Sequence, residues 1–155
     1  MSAFVPLMLL GPLLVIAALG DLRRMRIPNT LSLAALALFA ACLPFTGLAD
    51  LGPRVLAAGA VFVLGFALFA ANLIGGGDVK LLSALVLFVP PEAWTLYANL
   101  LAASLLLGLL AVVAVQAIPN GERSSWAVRR NKGSFPMGLS IALSGLVLPP
   151  AAMLL

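Results

Sequence analysis

Six long apolar runs fill almost the whole 155-residue chain, with little polar sequence between them. They extend from about Phe4 to Gly20, Thr30 to Phe45, Val55 to Ile74, Val79 to the Pro90-Pro91 pair, Ala93 to Ile118 and Met137 to Leu154. Runs of this kind suit a lipid bilayer as solvent. Hydrophobic residues make up 63% of the chain and charged residues 9%, against about 25% charged in a soluble domain. Backbone groups in hydrocarbon must be paired within helices or a closed barrel. Alanine- and leucine-rich runs without apolar–polar alternation select helices. The expected fold is all-α, a polytopic membrane protein of about six transmembrane helices forming one integral-membrane domain over residues 1–155.

The cations give an orientation. With six crossings, the connections on one side hold Arg23, Arg24, Arg26, Lys80, Arg123, Arg129, Arg130 and Lys132, and the other side holds only Arg54. The positive-inside rule makes the first set cytoplasmic and turns both termini outward. The same split puts Asp21 and Asp78 at the cytoplasmic face. The first run does not read as a cleaved signal peptide, because no cation precedes it and three arginines follow. The net charge of +4 reflects these flanking cations, so the expected partner is membrane lipid and no nucleic acid.

Much chemistry is excluded by what is missing. The chain has one cysteine, Cys42, and no histidine. An intramolecular disulfide and Ser–His or Cys–His catalysis are ruled out, and a zinc or haem site of the usual kind lacks ligands. No metal and no cofactor is expected. Carboxylates, lysine and Tyr97 remain as acid–base groups.

Two aspartates stand at the ends of apolar runs. Asp21 closes the first, within Ala17-Ala18-Leu19-Gly20-Asp21-Leu22-Arg23-Arg24. Asp78 follows three glycines, Gly75-Gly76-Gly77-Asp78-Val79-Lys80-Leu81. A carboxylate beside hydrocarbon is expensive to keep and marks a functional site by default. Three glycines disfavour helix by roughly 1 kcal/mol each relative to alanine, so the triplet reads as a helix terminator and as an edge that a substrate backbone can approach. The fourth run, Val79 to Val89, is 11 residues, about 17 Å of helix against a hydrocarbon core of about 30 Å. Asp78 is therefore expected part-way into the bilayer beside a water-filled recess. If the aspartates meet, they share one proton. The ionised member takes a proton from water, and the protonated member polarises a carbonyl and later supplies a proton to the leaving amine.

This constellation resembles the GxGD membrane aspartyl proteases, and within them the type IV prepilin peptidases. The resemblance rests on Asp21 with Ile27-Pro28-Asn29 six residues later, on Gly75-Gly76-Gly77-Asp78-Val79-Lys80-Leu81, and more weakly on Pro136-Met137-Gly138 before the last run. It implies an aspartyl endopeptidase with Asp21 and Asp78 as catalytic residues, supported by Gly75, Gly76, Gly77 and Lys80. It also implies cleavage of the basic leader of prepilin or pseudopilin precursors at the cytoplasmic face of the bacterial inner membrane. Larger members carry a cytoplasmic insertion with paired cysteines, tied to N-methylation. Here the first cytoplasmic loop runs only from about Asp21 to Asn29 and no CxxC exists, so methyltransferase activity is not expected. The compact form is similar to peptidases serving tight-adherence (Flp-type) pili. Presenilin-like relatives fit less well, since Gly20-Asp21 replaces their Tyr-Asp.

Plainer roles compete at each position. Asp21 could end a span and pair with Arg23 or Arg24, and Asp78 could be a helix N-cap. Lys80 reads as a charge anchor or as a group that tunes the pair. Asn72 reads as an interhelical hydrogen-bonding residue, and Arg129-Arg130-Asn131-Lys132 as an orientation signal. Asp50 and Glu92 are expected in solvent, with Trp94, Tyr97 and Trp126 at the membrane interface. Two rival functions remain: a small proton-coupled transporter, with aspartates nearer mid-bilayer, and a non-enzymatic membrane scaffold.

Overall fold

In α1, leucines and an alanine at positions 7, 10, 14 and 17 recur at alternating steps of three and four, which lines one face of a helix. All four are buried. The next step of that stripe is Asp21, so the register that buries the leucines also carries the carboxylate inward.

The computed structural model describes residues 4–24, 27–46, 50–117 and 137–154. Six α-helices account for most of them: α1 (Val5–Arg24), α2 (Asn29–Thr46), α3 (Leu51–Ala70), α4 (Gly76–Phe88), α5 (Trp94–Ala117) and α6 (Met137–Leu154), with a 3-10 turn at Pro91–Ala93 before α5. No strand occurs among the described residues. The basic run at 123–132 and Trp126 lie outside them.

The chain is an all-helical membrane protein. Four helices, α1, α3, α5 with its preceding turn, and α6, are long and apolar enough to cross a bilayer. The apolar stretch of α2, Asn29–Pro44, is shorter, and α4 has 13 residues, about 20 Å of helix. The packing explains how α4 can be short. It lies against α2, α3 and α6 and touches α1, and Val79, Leu81 and every residue from Ser83 to Phe88 are buried. A helix sheathed by other helices faces protein, so its length need not match the hydrocarbon.

Around α4 the peripheral helices show the reverse pattern. On α3 only Arg54, Ala58 and Gly65 are buried, while Phe62, Val63, Leu64 and Phe66 are exposed. That exposure is costly in water and neutral in lipid. Gly65 lets α3 lie close to α4, since a Cβ there would fall 2.8 Å from Val79 Cγ1. Across the bundle, Phe39 of α2 meets Phe88 of α4 edge to face at 5.2 Å.

Both ends of α4 are defined by neighbours. At its C-terminal end Pro90 and Pro91 stop the helix. The buried Arg54 donates to the carbonyls of Leu87 (3.3 Å) and Phe88 (3.4 Å), which helix geometry leaves unpaired. Arg54 also lies 3.9 Å from Asp50, whose side chain stays 44% exposed. Trp94 donates to Val89 O at 3.3 Å. Tyr97 is no interfacial anchor: it is 5% exposed and belongs to the core.

The entrance to α4 corrects the reading of the glycine triplet. α3 ends at Ala70, four residues short of Ile74, and it is Asn72 that ends it. Asn72 has φ 58°. Its N–H bonds to Phe69 O (2.9 Å) and the Leu73 N–H to Leu68 O (3.0 Å), the paired closure of a Schellman motif. Asn72 thus terminates its own helix and does not serve as a bridge to another. Gly75 is the N-cap of α4, while Gly76, Gly77 and Asp78 form its first turn, so Asp78 is not the cap.

Candidate active site

Asp21 and Asp78 lie 57 positions apart in sequence and open onto one cavity. Its walls are the end of α1 (Ile16, Leu19, Gly20, Asp21, Arg23), the approach to α2 (Ile27, Pro28, Asn29, Leu31) and the Gly75–Asp78 segment. The volume is about 910 Å³. The two carboxyl groups are close enough for their charges to interact. Its lining combines the apolar side chains of Ile16, Leu19 and Leu31 with the carboxyls, Arg23 and Asn29.

Asp21 is 5% exposed. Its Oδ2 accepts the Leu139 N–H at 3.2 Å. The carboxylate therefore sits at the N-terminus of α6, where free N–H groups and the helix dipole favour negative charge. Gly138 makes this approach possible. A Cβ there would lie 3.0 Å from Asp21 Oδ2 and 2.6 Å from Ile27 Cδ1.

Asp78 is held differently. Its Oδ2 faces Gly75, where a Cβ would fall 2.7 Å from it. Its Oδ1 is buried and accepts no hydrogen bond from the described residues. Gly77, just before it, backs onto Ile27, with an added Cβ 3.1 Å from both Ile27 Cβ and Ile27 O.

Ile27 thus wedges between the two helix starts that carry or hold the carboxyls. Asn29, two residues on, opens α2 and accepts a 3.0 Å hydrogen bond from Lys80 Nζ. Lys80 does not line the cavity and acts as a tie between α4 and the start of α2. The Ile-Pro-Asn element, read from sequence only as a motif, is the spacer that sets α1, α2 and α4 at their distances. Gly138 and the Leu139 N–H were not among the sequence-predicted site residues. The signal that could have found them is a glycine opening the last helix, the place where an N-terminus can be approached closely.

A membrane protein with two interacting carboxyls on one cavity, at the ends of apolar helices, has the groups for acid–base hydrolysis of an amide. Residues 8–113 match the type IV leader peptidase family, and the chain belongs to it. The protein is accordingly a peptidase whose family acts on precursor proteins. The matched stretch includes Asp21, Ile27-Pro28-Asn29 and Gly75–Asp78. No curated protein and no solved structure matches the chain.

Proposed function

We propose that this chain is an aspartyl endopeptidase of the bacterial inner membrane that removes the basic leader from prepilin-like precursors at the cytoplasmic face, without N-methyltransferase activity. The observation that carries this reading is the opening of Asp21 and Asp78 onto one cavity. The unequal split of cations supports the cytoplasmic placement. The cavity's mixed lining supports the substrate class: a polar leader joined to an apolar helix needs both polar and apolar contacts. The whole chain, 1–155, acts as one membrane domain.

In this mechanism a water lies between the carboxyls, which hold one proton between them. One carboxylate takes a proton as the water oxygen attacks the scissile carbonyl carbon, and the other carboxyl protonates the carbonyl oxygen. Collapse of the tetrahedral species breaks the C–N bond and sends a proton to the amine. Only the singly protonated pair works, so the rate is expected to be bell-shaped in pH. Asp21→Asn and Asp78→Asn are each expected to remain membrane-inserted and to lose cleavage of a peptide with a basic leader, a glycine and an apolar segment. Full cleavage by either variant in proteoliposomes refutes the pair.

A further inference from the structure

Both carboxyls stand at a helix start, Asp21 against α6 and Asp78 in the first turn of α4, so the helix dipoles do not tell them apart. Their direct partners do. Asp21 Oδ2 accepts the Leu139 N–H at 3.2 Å, and Gly138 leaves that side of the carboxylate uncrowded. Asp78 meets the Gly75 N–H through its carboxyl, but its Oδ1 is buried without a donor among the described residues. A buried carboxyl oxygen that receives a backbone N–H is suited to negative charge. One that receives none is suited to carrying a proton.

We propose that the start of α6 divides the labour within the pair: Leu139 N–H and the bare Gly138 hold Asp21 as the charged, water-activating member, and Asp78 carries the shared proton. This rests on the peptidase reading and deepens it. Asp21 takes the proton from water while the water oxygen bonds to the scissile carbon, and Asp78 gives its proton to the carbonyl oxygen. Asp21 then passes its proton to the amine nitrogen as the C–N bond breaks. Asp78 recovers one from a hydroxyl of the tetrahedral species, so the pair ends as it began. Gly138 and Leu139 are positioning residues and touch no substrate. Among the described residues, the charged groups on the cavity are Asp21, Asp78 and Arg23, and Lys80 is turned to Asn29.

The test uses the full chain in proteoliposomes with the leader peptide described above. Gly138→Ala adds a Cβ 3.0 Å from Asp21 Oδ2 and loosens the Leu139 bond. Leu139→Pro removes the N–H and sets the ring Cδ in its place, facing Asp21 Oδ2, in a helix first turn where proline is tolerated. Each is expected to lower kcat per folded molecule by ~10- to 100-fold, the loss from one hydrogen bond to a charge, with KM little changed. The acid limb of the pH profile should move to higher pH, because charge on the pair has lost a donor. Ile27→Val deletes the Cδ1 atom that Gly138→Ala would also strike. If adding Ile27→Val to Gly138→Ala leaves the defect in place, crowding of Asp21 is its cause. Restoration of wild-type turnover by that second change overturns the proposal. So do wild-type kcat and an unmoved pH profile in both α6 variants, provided Asp21→Asn and Asp78→Asn are inactive. If those two cleave normally, the peptidase reading itself has failed.

Discussion

Three adjacent glycines precede Asp78, and the structure predicts three different responses to alanine. At Gly75 the backbone, φ −76° and ψ 138°, suits alanine, so the objection is purely steric. A Cβ would sit 2.7 Å from Asp78 Oδ2, and ordinary contact begins at 3.4 Å. The carboxylate must retreat by about 0.7 Å, the difference between those two distances. Misplacement of a reacting group by ~1 Å can cost ~100-fold, so Gly75→Ala should lower kcat by roughly 10- to 100-fold. Thermal stability should fall by roughly 0.5–1 kcal/mol, the scale of a glycine-to-alanine change at an N-cap.

At Gly77 the added Cβ meets Ile27 O and Ile27 Cβ at 3.1 Å. A backbone oxygen cannot rotate aside. The helix start or the Ile27-Pro28 segment must shift, at about 1–3 kcal/mol for such overpacking, and turnover should fall with stability. At Gly76 the nearest atom is a ring carbon of Phe69 at 3.2 Å, and that ring is 44% exposed and free to swing. Here the gain in helix propensity, up to ~1 kcal/mol, should leave stability equal or higher and cleavage within about twofold of wild type. The assay pairs kcat and KM on the leader peptide with thermal unfolding in detergent. Equal activity in Gly75→Ala and Gly76→Ala would refute the steric account, as would a Gly77→Ala protein as stable as Gly76→Ala.

Two further outcomes probe the frame around the site. Arg54→Met keeps apolar bulk but leaves the Leu87 and Phe88 carbonyls without their donor, and should cost about 1–3 kcal/mol in unfolding experiments. Cleavage per folded molecule should be unaffected, since Arg54 lies at the opposite end of α4 from Asp78. At Asn72, φ 58° makes Asn72→Gly neutral or stabilising, whereas Asn72→Val should lose roughly 1–2 kcal/mol of stability. Equal thermal midpoints for the two Asn72 variants would show that the left-handed turn is not what ends α3.

Local patterns were readable without coordinates. The last helix starts and ends at the expected residues, Met137 and Leu154, because its apolar content alone specifies a span. The break before Asp78 was also visible, but its cause was misassigned. Glycine's poor helix propensity drew attention to Gly75–Gly77, whereas two of those glycines are helical and Asn72 makes the turn. Propensity scales rate a residue in isolation, and the Schellman closure depends on several residues acting together. Tyr97 shows the same limit: aromatic character beside an apolar run fits an interfacial anchor, yet burial depends on which helices lie beside it.

The amino-acid order alone settled a helical membrane protein and the two acidic residues at run ends. These follow from composition and from periodicities of a few residues, which any isolated helix obeys. Only the assembled bundle decided that the two carboxyls share a cavity and that α4 can be short. It also decided that Asp21 is bonded to an N–H lying 118 positions away. Such closeness comes from how helices pack side by side, and no spacing along a chain encodes the distance between helix ends brought together by their neighbours.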